Sequence, residues 1–296
     1  MRVYFGNDSN PTLVPAPGPS HAGVIAACES VKRIVRQNHE IVGTWRRGEQ
    51  PDQALLESCD ALVINGEGTM RDEARPHEPG RIELLLGTLD RAIAMGKRAY
   101  LVNTVWCRMT TRWGTLLRNL DEVSVREPSS ALEMQTTYGV YPTIYPDAAY
   151  FLPIDETAPM VDFGGRVVVG HLYPHNFAER LTEEHPNFSR WPDRLPLMPP
   201  PAPSWSSIVR SLRTASVYFT GQHHGVIAAC RARVPFIPFT VNTHKVSGLL
   251  AWANARVPMI GDSRQIAPAL KWARGNREAY DDLFAFLERQ AHWPGP

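Results

Sequence analysis

TASVYFTGQHHGVIAACRARVPFIPFTVNTHKVSGLLAW, residues Thr214–Trp252, is the stretch that decides the fold. Ser216–Thr220 (SVYFT) is short, β-branched and aromatic, the composition of a strand buried in a parallel sheet. Gly221-Gln222-His223-His224-Gly225 interrupts it, and Val226–Arg231 continues as a small-residue helix. Val234–Val241 (VPFIPFTV) reads as a second strand, whose prolines place it at an end or an edge. Asn242-Thr243-His244-Lys245 then opens a further helix, with Asn242 or Thr243 as its N-cap. Two polar clusters therefore follow successive strands, each at a helix N-terminus. Ligands of open α/β sheets bind at the carboxyl ends of the strands, where unpaired N–H groups and the helix dipole attract anions. Gly221, Gln222, His223, His224, Asn242, His244 and Lys245 are accordingly expected to meet a phosphate-bearing substrate.

Working outward, the chain of 296 residues is long enough for two domains of about 150 each. Its 43% hydrophobic and 21% charged residues are those of an ordinary globular protein. Thirty-one Lys and Arg against thirty Asp and Glu leave a net charge of +1, so overall charge gives no support to nucleic-acid binding. Cys28, Cys59, Cys107 and Cys230 are widely spaced and form no CxxC pair, which fits thiols of a reducing cytoplasm better than a disulfide framework or a zinc site. No run approaches the roughly 20 apolar residues of a membrane span. The sequence opens directly on a strand, MRVYFG, so a signal peptide is not expected.

The first half alternates strands and helices. Strands are expected at Arg2–Gly6, Glu40–Thr44, Ala61–Asn65, Arg98–Val102 and Glu122–Arg126, with helices at His21–Arg36, Ala54–Ser58, Gly80–Met95 and Ser129–Tyr138. That rhythm argues for a parallel sheet covered on both faces. A boundary is expected within Leu152–Val161, and Val167–His171 (VVVGH) reopens a core strand. His185–Pro203, with Pro199-Pro200-Pro201, reads as a surface loop or lid. Trp205–Leu212 is a helix, Val257–Ile260 a last short strand, and Ile266–Trp272 and Arg277–Gln290 close the chain. The expected domains are 1–155 and 156–275, with 276–296 a helix and tail that could pack back on the first. One internal echo links the halves: HAGVIAAC at His21–Cys28 repeats as HHGVIAAC at His223–Cys230.

Candidate residues carry a bland alternative beside the chemical one. His224 could donate a proton to a departing phosphate or steady its charge, or simply bond the backbone at a helix start. Lys245 could neutralise a phosphate as a point charge, or be a solvated lysine. Gly66-Glu67-Gly68-Thr69 follows a buried strand, and its glycines would let a ligand approach the backbone, although a tight turn explains them too. Glu67 is the leading general base for an acceptor hydroxyl, with Asp8 and Asp72 as alternatives. Asn7 and Asp8 follow the first strand and are placed to line the site. Arg126 belongs with the cleft or acceptor residues, although Arg126, Glu127 and Asp147 read more readily as structural, through ion pairing and turn capping. No metal site is expected, because Pro174 spoils the helix that would align His171 with His175.

Five segments occur here in the order seen in polysaccharide pyruvyl transferases: ALVINGEGTM (61–70), VSVREPSSALEMQTTYGV (123–140), YPDAAYFL (145–152), TGQHHGVIAACRARVPFIPF (220–239) and NTHKVSGLL (242–250). The chain resembles that family over roughly 61–250. The resemblance implies an α/β fold of two Rossmann-like domains with parallel sheets facing across a cleft, the GT-B-like type, with the acceptor on the first and the donor on the second. It also implies transfer of a pyruvyl group from phosphoenolpyruvate to a sugar or glycan hydroxyl in polysaccharide biosynthesis, with no further cofactor. The family's Arg-x-His is Gln222-His223-His224 here: His224 matches, but the fixed bidentate charge of the arginine is gone. Two alternatives follow, a GT-B glycosyltransferase using a nucleotide sugar on a glycan, small molecule or hydroxylated nucleic-acid base, and a non-catalytic ligand-binding relative.

Overall fold

The buried run Ala61–Asn65 is a central strand, as its composition dictates, and the rest of the first sheet is laid out around it. A computed structural model describes residues 1–9, 21–72, 80–170, 181–183, 186–191, 203–240, 244–293 and 295. In chain order the first half holds β1 (Arg2–Asp8), α1 (Ala22–Val35), β2 (Glu40–Arg46), α2 (Gln53–Ser58), β3 (Ala61–Asn65), β4 (Thr69–Met70), α3 (Arg81–Ala94), β5 (Arg98–Trp106), α4 (Gly114–Arg118), β6 (Glu122–Val125), α5 (Pro128–Tyr138) and β7 (Thr143–Ile144). The strand order is β2-β1-β3-β5-β6-β7, with the short β4 paired to β5, and every ladder is parallel. Strands covered on both faces need apolar side chains on both, and β3 and the body of β5 are buried throughout. Tyr4, Trp45, Leu62, Leu86, Trp106 and Met134 belong to one continuous core.

The second half holds β8 (Val167–Val169), β9 (Phe188–Arg190), α6 (Trp205–Leu212), β10 (Val217–Thr220), α7 (His223–Ala232), β11 (Phe236–Pro238), α8 (Lys245–Trp252), α9 (Ile266–Gly275) and α10 (Arg277–Gln290). Its sheet is also parallel, in the order β11-β10-β8-β9, and Ile260 adds a parallel bridge to Phe239. Of the strand expected over Val234–Val241, Phe236–Pro238 is in the sheet; Pro235, just before it, has no N–H to give a ladder, and Val241 lies outside the described residues. Helix α7 begins at His223, earlier than the polar run suggests. Gly225 explains this: a Cβ there would lie 2.2 Å from Thr220 Oγ1, so the bare backbone packs its first turn directly under the end of β10.

The chain forms two compact units, 1–10 with 27–148 and 292–296, and 11–26 with 149–291. The first turn of α1 therefore goes with the second unit, as does α10, whose Tyr280 hydroxyl donates to Phe236 O at 2.6 Å. Only the tail 292–296 returns to the first unit. The four cysteines are free thiols. Among the described residues no helix is long and apolar enough to cross a membrane. The proline-rich loop lies largely, and the His171–His175 pair wholly, outside the described residues.

The tail is tied down by Trp293, whose Nε1 donates to Glu122 Oε1 at 3.3 Å while its ring lies 6.0 Å from that of Tyr145. Burial pushes the Glu122 carboxyl above its usual range, with the Trp293 bond opposing it. The folded chain therefore holds that proton more readily than the unfolded one, so the stability from Glu122 is complete in acid and is lost as pH rises through the folded value. Glu122→Gln keeps an acceptor for Trp293 and removes the ionisation. It should raise Tm at pH 7 and leave it nearly unchanged near pH 4, in paired thermal melts.

Candidate functional site

In the first sheet the chain runs from β1 outward to β2 and then returns to place β3 on the other side of β1, so the direction of winding reverses between β1 and β3. The crevice at the carboxyl end of such a pair is where open α/β sheets bind ligands. Asn7 and Asp8 end β1, Asn65 ends β3, and Gly66-Glu67-Gly68 follows it. Two asparagines there hold left-handed backbone, Asn7 at φ 61° and Asn103 at φ 56°. Both sit at register shifts of their strands, β1 against β2 and β5 against β6. Asparagine tolerates that conformation better than most residues, and strained backbone of this kind gathers at functional sites. Their side chains converge on β3: Asn7 Nδ2 donates to Asn65 O at 2.6 Å, and Asn103 Nδ2 to Asn65 Oδ1 at 3.1 Å. Asn103 Oδ1 accepts from Ala148 N at 3.0 Å.

Beside them lies a buried ion cluster. Arg126, at 1% exposure, donates through Nη1 to Glu67 Oε2 at 2.8 Å and to Asp147 Oδ2. Burial opposes the guanidinium charge, but Glu67 and Asp147 outweigh it and raise its pKa above the ordinary value. Glu127 turns the other way and caps α5, accepting from Ser129 N at 2.7 Å and Ser130 N at 3.1 Å. Asp8 is held by Lys32 Nζ at 2.9 Å and by the Cys28 thiol at 3.0 Å; burial first, then Asp8, keeps that thiol protonated well above its normal range. Asp72 accepts from Thr110 N and pairs with Arg112 at 3.1 Å, bonds that lower its pKa despite burial. Of the three carboxylates considered as base, Asp8 and Asp72 are thus occupied away from the asparagines, while Glu67 sits among them.

The same place carries buried polar atoms with no hydrogen-bond partner among the described residues: Asn7 Oδ1, Asn65 Nδ2, Thr69 Oγ1, Thr104 Oγ1, and Arg126 Nε and Nη2. Leaving such a group unsatisfied costs about 1–3 kcal/mol, so native proteins seldom do it without a functional or solvent reason. The set mixes donors and acceptors, as a polyhydroxyl ligand requires. Gly66 donates to Val102 O at 2.7 Å, and Gly68 is left-handed at φ 88°.

In the second unit winding reverses between β8 and β10. Gly221 follows β10 and Gln222 is the N-cap of α7, with extended backbone and no side-chain capping bond. His223 and His224 occupy the first turn, 9% and 7% exposed, their rings 5.7 Å apart. His21, next to the first turn of α1, brings its ring within 5.1 Å of His224 and hydrogen-bonds Gln222 Oε1 through Nε2. The repeated HAGV and HHGV segments therefore meet at their helix starts. His244 caps α8 and Lys245 is its first residue, both half-buried; Asn242 lies outside the described residues. Sequence reasoning missed His21, Asn65, Asn103, Thr104 and Lys32. Only His21 left a signal, the echo.

Solved structures align over the whole chain. The S. aureus MnaA–UDP co-structure is 10% identical, covers 100% of this chain and 93% of its own, and gives a TM-score of 0.57. Spinosyn rhamnosyltransferase SpnG complexed with thymidine diphosphate is 12% identical, with 99% and 98% covered and a TM-score of 0.56. SsfS6, a glycosyltransferase of Streptomyces sp. SF2575, is 10% identical, with 100% and 97% covered and a TM-score of 0.55. The fold is GT-B-like. No protein-family model and no curated protein matches the chain, so the likeness to pyruvyl transferases rests on the five segments alone, whereas the GT-B fold rests on both sheets and their order.

Proposed function

We propose that the chain is a GT-B-type transferase that moves a glycosyl group from a nucleotide-diphosphate-linked donor to a hydroxyl of a sugar or related acceptor. Gln222 carries this reading. A neutral amide at the start of α7 suits the uncharged oxygens of a nucleotide sugar's base or sugar, whereas a carboxylate donor calls for the bidentate, permanently charged grip of arginine. The UDP and thymidine diphosphate in two of the structural neighbours support it.

In this proposal the second unit binds the donor and the first binds the acceptor. The acceptor oxygen forms the new bond to the anomeric carbon as the bond from that carbon to the diphosphate oxygen breaks. The hydroxyl proton passes to Glu67, which Arg126 orients, and the nucleoside diphosphate leaves with the electron pair. His224, Lys245 and the N–H groups of the first turns of α7 and α8 stabilise its charge, with His223, His244 and Gly221 around them. Asn7, Thr69, Gly66 and Gly68 hold the acceptor, and Asp8 positions β1 through Lys32.

The order of the five motif segments favours a second reading, pyruvyl transfer from phosphoenolpyruvate. Incubating the protein with UDP- or dTDP-sugars, or with phosphoenolpyruvate, and a panel of glycan acceptors separates the two. Release of nucleoside diphosphate is expected. Release of inorganic phosphate from phosphoenolpyruvate alone would replace the first reading by the second, and binding without any release would favour the non-catalytic relative.

A further inference from the structure

The pairing of His21 with Gln222 determines more than proximity. Gly23 N donates to His21 Nδ1 at 3.1 Å, so His21 caps α1 with its ring as a serine would with its hydroxyl. A backbone N–H can only donate, so Nδ1 carries no proton and the ring proton must reside on Nε2. Nε2 then faces Gln222 as a donor, which requires the oxygen and not the nitrogen of the amide on that side. The Gln222 NH2 group is thereby turned away from His21, and it makes no hydrogen bond among the described residues. The arrangement is tightly built: a Cβ on Gly23 would lie 2.3 Å from His224 Cβ, so α1 and α7 approach as closely as they do only because residue 23 has no side chain.

We infer that His21 is a positioning residue that locks the Gln222 amide as an uncharged two-donor element, which selects a neutral oxygen acceptor on the donor substrate over a carboxylate. The inference rests on the donor assignment above and adds to it the chemical class of the group recognised. The ring reads the helix start through one nitrogen and sets the amide through the other. Gln222 offers its donors without the rotational freedom a half-buried amide otherwise keeps, which reduces the entropy lost on binding. Because the amide is uncharged, a carboxylate finds hydrogen bonds from it but not the fixed charge that an arginine in its place would bring to offset desolvation.

Two measurements test this, one of them without ligand. Ring 15N–1H correlation spectra at pH 7.5 should show His21 with its proton on Nε2, and the Gln222 side-chain amide protons as a resolved, exchange-protected pair that becomes averaged in His21→Leu. A proton on Nδ1, or Gln222 signals indifferent to that substitution, would overturn the inference. In calorimetric titrations His21→Leu should weaken UDP binding roughly three- to tenfold, the value of one hydrogen bond, and His21→Gln, whose amide also donates, should restore most of it. Gln222→Arg should shift the preference from UDP toward phosphoenolpyruvate. Unchanged UDP affinity in His21→Leu contradicts the positioning role. Wild-type protein that binds no UDP while its spectra show the Nε2 proton and the ordered amide would instead overturn the donor assignment and leave the lock standing.

Discussion

Arg126→Met should lower the unfolding free energy by about 3–5 kcal/mol, the usual result of removing one partner from a buried charge cluster. Glu67 and Asp147 are 3% and 0% exposed, and the substitution leaves both without the guanidinium that now joins them. Methionine fills much of the volume, so the loss reports charge more than cavity. The triple variant Arg126→Met, Glu67→Gln, Asp147→Asn should recover a large share, because it removes the two buried carboxylate charges as well. Urea unfolding with an unchanged m-value measures this. A loss below about 1 kcal/mol would place the cluster among solvent-screened ion pairs and withdraw its role in fixing Glu67.

His224→Asn should lower kcat by about a hundredfold or more while changing KM little, the range expected for losing a proton donor or charge stabiliser in the transition state. Asparagine keeps a polar side chain in the first turn of α7 and much of the packing against Gly23, so Tm should move little. Glu67→Gln should lower kcat comparably and remove the response to pH that a base provides. If His224→Asn turned over at the wild-type rate, the phosphate-stabilising role would have to pass to Lys245 and the backbone alone.

The sheets were legible in the sequence because parallel strands demand continuous apolar runs: Ala61–Asn65 falls where the pattern puts it, and the helix over Trp205–Leu212 falls where its own periodicity does. The ends were less so. His223 and His224 look like turn residues, and only tertiary packing of Gly225 on Thr220 draws them into α7. The polar clusters of the second unit were visible because their residues are contiguous, each following a strand. The first-unit site was visible only in part, since Glu67, Arg126 and Asp147 sit in three distant segments and meet through the β3-β5-β6 strand order. Asn103 reads as a polar interruption in LVNTVW. Its left-handed backbone, and the twin at Asn7, depend on ladder register that no local pattern encodes. His21 lies beside Gln222 although 201 positions separate them, and one repeated octapeptide was its only trace.

Calorimetric titration of the wild-type protein with UDP, dTDP and phosphoenolpyruvate decides which donor the second unit takes. A neutral amide at the start of α7 predicts saturable binding of a nucleoside diphosphate and markedly weaker binding, or none, of phosphoenolpyruvate. Tight binding of phosphoenolpyruvate with no response to either nucleotide would contradict it.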